Sequence, residues 1–201
     1  MKTSTTRIAF VAVFDHVSGA EISLETLILN LDRSKYTPVL FLPKKYDADR
    51  FARLEVELYQ FSMVPLIISF NPFRLFHFLF LLGFGAWQLA RAFRQSRISL
   101  VHSNSYQAQL YAGPASIVAR IPLVAHLRDR LPRIKALRWL LRQTAKEIIY
   151  VSHFIQGQNE LGRTGHVIEN PVDLPQAPTI PCKLSQILTV AHIGQLVPWK
   201  N

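Results

Sequence analysis

The sequence predicts an α/β fold, a doubly wound parallel sheet with helices on both faces, and three observations carry that expectation. Short apolar, β-rich runs alternate along the chain with segments of helical period. Apolar residues make up 49% of the 201 residues against 18% charged, which excludes a disordered chain and suggests large buried elements. The first strand runs through a short turn into an amphipathic segment, the crossover that parallel strands require.

The strands are expected at 7–14, 38–43, 64–68, 98–103, 122–126, 147–151 and 166–169, each a run of β-branched, aromatic or aliphatic residues. Between the first two, Ala20, Leu24, Leu27, Ile28 and Leu31 recur at the spacing of one helix face. Further helices are expected at 48–60, 73–95, 106–119, 133–146 and 153–161. Pro132 stands just before the fourth of these, where a missing N–H costs least.

After Asn170 the texture changes. Pro171, Pro175, Pro178 and Pro181 punctuate eleven residues, which no regular element tolerates. The organisation expected is therefore a lobe over 1–170, a Pro-rich linker over 171–186, and over 187–201 a strand followed by a turn. A lone strand makes no domain, so the chain is expected to stop just inside a second lobe.

The opening residues lead directly into the first apolar run, too short to span a membrane and without a small-residue cleavage site, so a strand is expected there rather than a signal peptide. The single cysteine, Cys182, allows no internal disulfide, and no Cys/His cluster has zinc spacing. A reducing, cytoplasmic compartment and no metal are the expectation. Net charge is +10, and Arg91–Lys146 accounts for the excess with eleven Lys or Arg and one acid, Asp129.

Several short segments lie where strands meet helices: SGAE at 18–21, HSNS at 102–105, VAHLRD at 124–129, VSHF at 151–154, ENPVD at 169–173 and IGQLVPWKN at 193–201. Ligands of open α/β sheets bind beyond the carboxyl ends of the strands, where all of these fall except the turn at 169–173. In this order and spacing they resemble glycosyltransferase family 4 over essentially the whole chain. The resemblance implies a GT-B fold of two Rossmann-like lobes, of which this chain supplies the acceptor-side lobe and the first strand of the donor lobe. It implies retaining transfer of a hexose from a nucleotide-sugar to a saccharide or lipid-linked acceptor, as in polysaccharide biosynthesis, with the donor as a substrate and no cofactor.

Carried over residue by residue, Gly19 matches the second glycine of the family's phosphate loop, with Ser18 in place of the first. Gln195 and Lys200 match the donor-lobe pair that neutralises the diphosphate, but Gln195 carries no charge where the family has arginine. His126 matches the strand-end histidine that faces the transferred sugar, the expected catalytic residue. Glu21, Asn104, Ser105, Arg128 and Asp129 are candidates for acceptor or sugar contacts. Each of several has a plainer reading: Glu21 as a carboxylate at its own helix N-terminus, Ser105 and Ser152 as N-caps, Arg128 and Asp129 as a surface pair. With the later donor motifs missing, the chain alone is expected to be inactive.

Phe73–Phe93 is rich in Phe and Leu and is followed by arginines. Arg74, His77, Gln88 and Arg91 interrupt it, so two readings stand, a helix lying on a membrane surface and a core helix of the lobe. The basic segment Arg133–Lys146 suits anionic headgroups or a solvated face. Peripheral contact with the inner face of an anionic membrane is thus one expected partner. A non-enzymatic basic module binding membrane or nucleic acid is the alternative function, although the sequence holds no recognised nucleic-acid module.

Overall fold

The computed structural model describes residues 5–13, 19–44, 49–63, 71–159, 161–162 and 165–171. Two compact units are distinguished, Met1–Pro171 and Val172–Asn201. The second lies outside the described residues, and with it the expected strand 187–193, Gln195, Lys200 and all of the linker but Pro171.

Seven parallel strands form one sheet: β1 (Thr6–Val11), β2 (Tyr36–Pro43), β3 (Glu57–Phe61), β4 (Leu100–Ser103), β5 (Leu123–Leu127), β6 (Glu147–Tyr150) and β7 (His166–Val167). Their order is β3-β2-β1-β4-β5-β6-β7, so the chain winds outward from β1 to one edge, crosses back, and winds to the other. The reversal falls between β1 and β4, the place where such sheets open a crevice at their carboxyl edge.

Side chains alternate across the sheet with period two. In β1, Ala9 and Val11 pack into a core with α2 (Pro72–Gln95), α3 (Tyr106–Ala119) and α4 (Lys135–Thr144). Ile8 and Phe10 point the other way, to Leu24 and Ile28 of α1 (Gly19–Leu29) and to Phe51 and Leu54 of a 3-10 turn, Asp49–Leu54. A central strand buried on both faces needs such a continuous apolar run. On the α1 side the sheet is covered mainly over β1 and β2. Over β4 and β5 an open cavity of about 460 Å³ remains, reached by Ile8, Phe10, Leu27, His102, Val124 and His126.

The α3 face is closed tightly. Gly85 of α2 has no room for a side chain, since a Cβ there would sit 2.6 Å from the Ser62 carbonyl oxygen and 2.9 Å from the Tyr111 ring. Gln109 of α3 donates to the Leu141 carbonyl (2.7 Å) and to the Thr144 hydroxyl (3.0 Å), which ties α3 to α4. The helix α2 starts at Asn71, whose side-chain oxygen accepts from the N–H groups of Phe73 (3.0 Å) and Arg74 (3.3 Å), with Pro72 in the first turn.

One expected element needs correction. The segment 48–60, read as a helix, is the 3-10 turn followed by β3, and the expected third strand at 64–68 lies outside the described residues. β3 is an edge strand, paired only with β2 and largely exposed. Its Glu57 and Gln60 are poor strand formers, tolerated because one side faces water. The other expected strands and helices are found within a few residues of their predicted bounds. The last helix, α5 (His153–Gln158), begins at Ser152, whose hydroxyl accepts from the Ile155 N–H.

Candidate functional site

The carboxyl ends of β1, β4 and β5 meet the first turn of α1, and the side chains there form one hydrogen-bonded cluster centred on Arg128. Arg128 is the first residue past β5. Its Nη2 donates to Asn104 Oδ1 at 2.9 Å, its Nη1 to Asn170 Oδ1 at 2.6 Å, and its Nε lies 3.2 Å from both the carbonyl and the side-chain oxygen of Asn104. Ser23 of α1 lies 3.3 Å from Nη2 and itself donates to Asn170 Oδ1 at 2.9 Å. Asn104, just past β4 and fully buried, donates from Nδ2 to the carbonyl of Ala20 at 3.1 Å. Asn104 thus links the start of α1 to the loop after β5.

All of these acceptors are neutral oxygens, and among the described residues no carboxylate is in ion-pair contact with Arg128. Burial pushes the guanidinium down to about 10, which leaves it cationic at neutral pH. The neighbouring Asp129 carboxylate opposes the effect of burial without an ion-pair contact among the described residues, and a cation so placed beside the positive end of a helix favours an anion.

Beneath Arg128 lie two buried imidazoles. His102 and His126 meet edge to face with ring centroids 5.6 Å apart, and His126 Nδ1 is 3.3 Å from Arg128 Nη2. His126 is pushed down to about 3, by burial first and then by Arg128 and His102; His102 is pushed down to about 3 by burial and Arg128. Both are therefore neutral at neutral pH. His126 Nε2 and His102 Nδ1 are buried without a hydrogen-bond partner among the described residues.

His126 is the penultimate residue of β5, which runs on to Leu127, and it pairs in register with Ile149. Its side chain lines the cavity under α1 together with that of Arg128, the first residue past the strand. The remaining candidates fall as follows. Gly19 opens α1, and a Cβ added to it would meet nothing within 4 Å, so packing against the described residues does not require glycine there. Glu21 is fully buried in the first turn of α1. Ser105 is the N-cap of α3, its hydroxyl accepting from the Ala108 N–H at 3.1 Å. Asp129 is exposed; its carbonyl accepts from Asn159 Nδ2 at 2.8 Å, and its carboxylate acts electrostatically on Arg128 and Tyr106.

Three residues of the site escape sequence reasoning. Ser23 sits one turn into α1 among apolar neighbours, and Asn170 belongs to the ENPVD segment without standing out in it. Buried Asn159 holds the loop after β5 through the Asp129 carbonyl and the Leu131 N–H. Among the described residues no group of three His, Cys, Asp or Glu is placed to hold a metal.

A parallel sheet with its reversal between β1 and β4, and a cationic cluster at its carboxyl edge against a helix N-terminus, is the architecture of a doubly wound α/β lobe with a candidate crevice at that edge. The profile of Glycosyltransferase Family 4 matches residues 17–176, and the chain belongs to that family. Its fold is that of the N-terminal lobe of GT-B glycosyltransferases. The lipopolysaccharide outer core galactosyltransferase WaaB superposes with a TM-score of 0.65 at 16% identity, over 85% of this chain and 47% of that one. HepE of Anabaena, in complex with UDP and glucose, gives 0.60 at 21% identity over 84% and 45%. MurG of Acinetobacter baumannii gives 0.58 at 13% identity over 82% and 45%. The chain spans less than half the length of each of these proteins. No curated protein matches it significantly.

Proposed function

We propose that this chain is the acceptor-side lobe of a retaining, hexose-transferring glycosyltransferase that works on the cytoplasmic side of a membrane and takes its sugar from a nucleotide-sugar. The observation that carries the reading is Arg128: a guanidinium held by the neutral oxygens of Asn104, Ser23 and Asn170 at the carboxyl edge beside the N-terminus of α1, with no carboxylate in ion-pair contact among the described residues. A diphosphate or a charge-separating transition state is what such a preorganised cation stabilises. Gly19 fits the same role, because a Cβ there would meet nothing within 4 Å among the described residues, leaving the start of α1 accessible from them. UDP in complexes of the similar HepE supports a nucleotide-sugar as donor.

In this scheme His126 acts as a neutral imidazole that packs beneath Arg128 and holds its orientation, rather than as an acid. The donor's nucleotide is held mainly by a second lobe, with Gln195 and Lys200 at its start. The test is transfer of labelled sugar from UDP- and GDP-sugars to saccharide and lipid acceptors, by the 201-residue chain and by the chain joined to a downstream donor lobe. The first should give no transfer. The second should be active, and Arg128→Ala should lower its turnover by on the order of 10²-fold or more, the scale of one lost transition-state contact. Robust turnover by the 201-residue chain would overturn the half-enzyme reading, and indifference to Arg128→Ala would overturn the role of the cation.

A further inference from the structure

The helix α2 is longer than the sheet it crosses. Its 24 residues span about 36 Å, whereas β4, into which it leads, has four residues. Gly85 and Gln88 mark where α2 meets the carboxyl edge. Gly85 lies against the carbonyl of Ser62, the residue after β3, and Gln88 Oε1 accepts from the Ser62 N–H at 3.2 Å. From there to its C-terminus one face of α2 is core, with Ala86, Leu89, Ala90 and Phe93 buried. The half before Gly85 runs on for about 20 Å of helix toward the carboxyl-edge side, with Leu82 packed on the core and Phe78 buried.

That half is apolar and bare. Phe73, Phe76 and Phe80 are 85%, 74% and 63% exposed, and Phe84 and Trp87 continue the same stripe with stacked rings. Phe78 alone in this half is buried. Such an array of exposed rings marks an interaction surface. Its spacing of three and four residues would also suit a partner helix, but a helix seam is flanked by charges of both signs that set pairing. Here the sequence from Glu57 to Asp129 contains no acidic residue between those two, while Arg74 lies on this half of α2 and Arg91 lies two turns past its end. Arg91 sits over the Trp87 ring, its guanidinium carbon 6.0 Å from the centroid. An apolar aromatic stripe with cations and no anions matches the headgroup boundary of an anionic bilayer. A spanning helix does not fit the C-terminal half, one face of which packs into the core of the lobe, and the first half alone is shorter than the ~30 Å hydrocarbon core.

We propose that the first half of α2 docks the lobe on an anionic membrane, with Phe73, Phe76 and Phe80 at the boundary of headgroups and acyl chains and the carboxyl edge turned to the lipid. The acceptor is then an amphiphile presented by the bilayer, which rests on the glycosyltransferase reading; the docking itself does not.

The test is flotation of the 201-residue chain with phosphatidylglycerol/phosphatidylcholine vesicles and with phosphatidylcholine vesicles. Binding to the anionic vesicles should be at least about tenfold tighter and weaken with salt. Phe76→Ser/Phe80→Ser should lower it by on the order of 10²-fold, the scale of two rings left in water. Ile117→Ser/Trp139→Ser, which changes exposed apolar residues on α3 and α4, should leave it unchanged. In a chain carrying Trp139→Phe and Trp199→Phe, brominated lipids should quench Trp87, a readout that leaves α2 intact. Absence of binding, equal loss in both double variants, or unquenched Trp87 would overturn the proposal. So would a concentration-dependent dimer in sedimentation that Phe76→Ser/Phe80→Ser abolishes while vesicles remain unbound. Vesicle binding needs no donor lobe, so it stands if sugar transfer is never found. Efficient transfer to a soluble saccharide by a lobe that ignores vesicles would sink the docking alone.

Discussion

Replacing Arg128 with methionine keeps the aliphatic stem and deletes the fork that joins four segments of the lobe. The donors of Asn104 Oδ1 are Arg128 Nε and Nη2, at 3.2 and 2.9 Å, and Asn104 is fully buried. The substitution therefore orphans one buried acceptor, at about 1–3 kcal/mol, and removes charge-assisted bonds worth about 1.5–3 kcal/mol. Asn170 Oδ1 keeps its bond from Ser23, and relief of the half-buried charge offsets part of the loss. A net destabilisation of about 3 kcal/mol follows, equivalent to about 6–12 °C in Tm for a chain of this size. Arg128→Lys keeps the charge but cannot serve Asn104 and Asn170 together, so about half that loss is expected. Urea unfolding followed by circular dichroism, with thermal melts alongside, measures both. A methionine variant within ~0.5 kcal/mol of the parent, the range of ordinary surface changes, would refute the claim that Arg128 organises the site.

Three further outcomes follow from the described geometry. His102 and His126 are held near 3, below the ordinary histidine value of 6.5, so the unfolded chain binds more protons than the folded one between those limits. Stability should be fully present above about pH 6.5 and fall as pH drops toward 3, by on the order of 2 kcal/mol per histidine at about pH 5; denaturant titrations at pH 7.5 and 5 should show it, and His102→Gln/His126→Gln should flatten the slope. Gly85→Ala forces a Cβ to within 2.6 Å of the Ser62 carbonyl and should cost about 1–3 kcal/mol in the same assay. Arg120 caps α3 with φ of 61°, a left-handed conformation, and Arg120→Gly should stabilise the lobe by about 0.5–1 kcal/mol, seen as a raised Tm.

How much of this was legible in the sequence depends on how strongly each residue's environment is written in its neighbours. The buried strands β1, β2, β4, β5 and β6 announce themselves because both faces are apolar. β3 does not, because an edge strand facing water on one side needs no such run, and its Glu57 and Gln60 read as helical. Asn104 and Arg128 were legible as candidates from their place in motifs. Which candidate the fold makes the hub of hydrogen bonds was not: His126 and Arg128 are two residues apart and share a face, and only the approach of Asn104, Ser23 and Asn170 from distant segments singles out Arg128. Ser23, Asn159 and Asn170 come into contact only through folding across long separations in sequence. The segment Phe73–Phe93 was ambiguous between core and surface because its two halves do different things.

Asn170 is the residue before Pro171, where the first compact unit ends, and it is tied to Ser23 of α1 and to Arg128. The outgoing chain is thus tethered to the same guanidinium that steadies the strand ends. A ligand anion that takes up the Arg128 guanidinium would compete with the bond that holds Asn170, so filling the crevice and anchoring the end of this unit draw on the same donor.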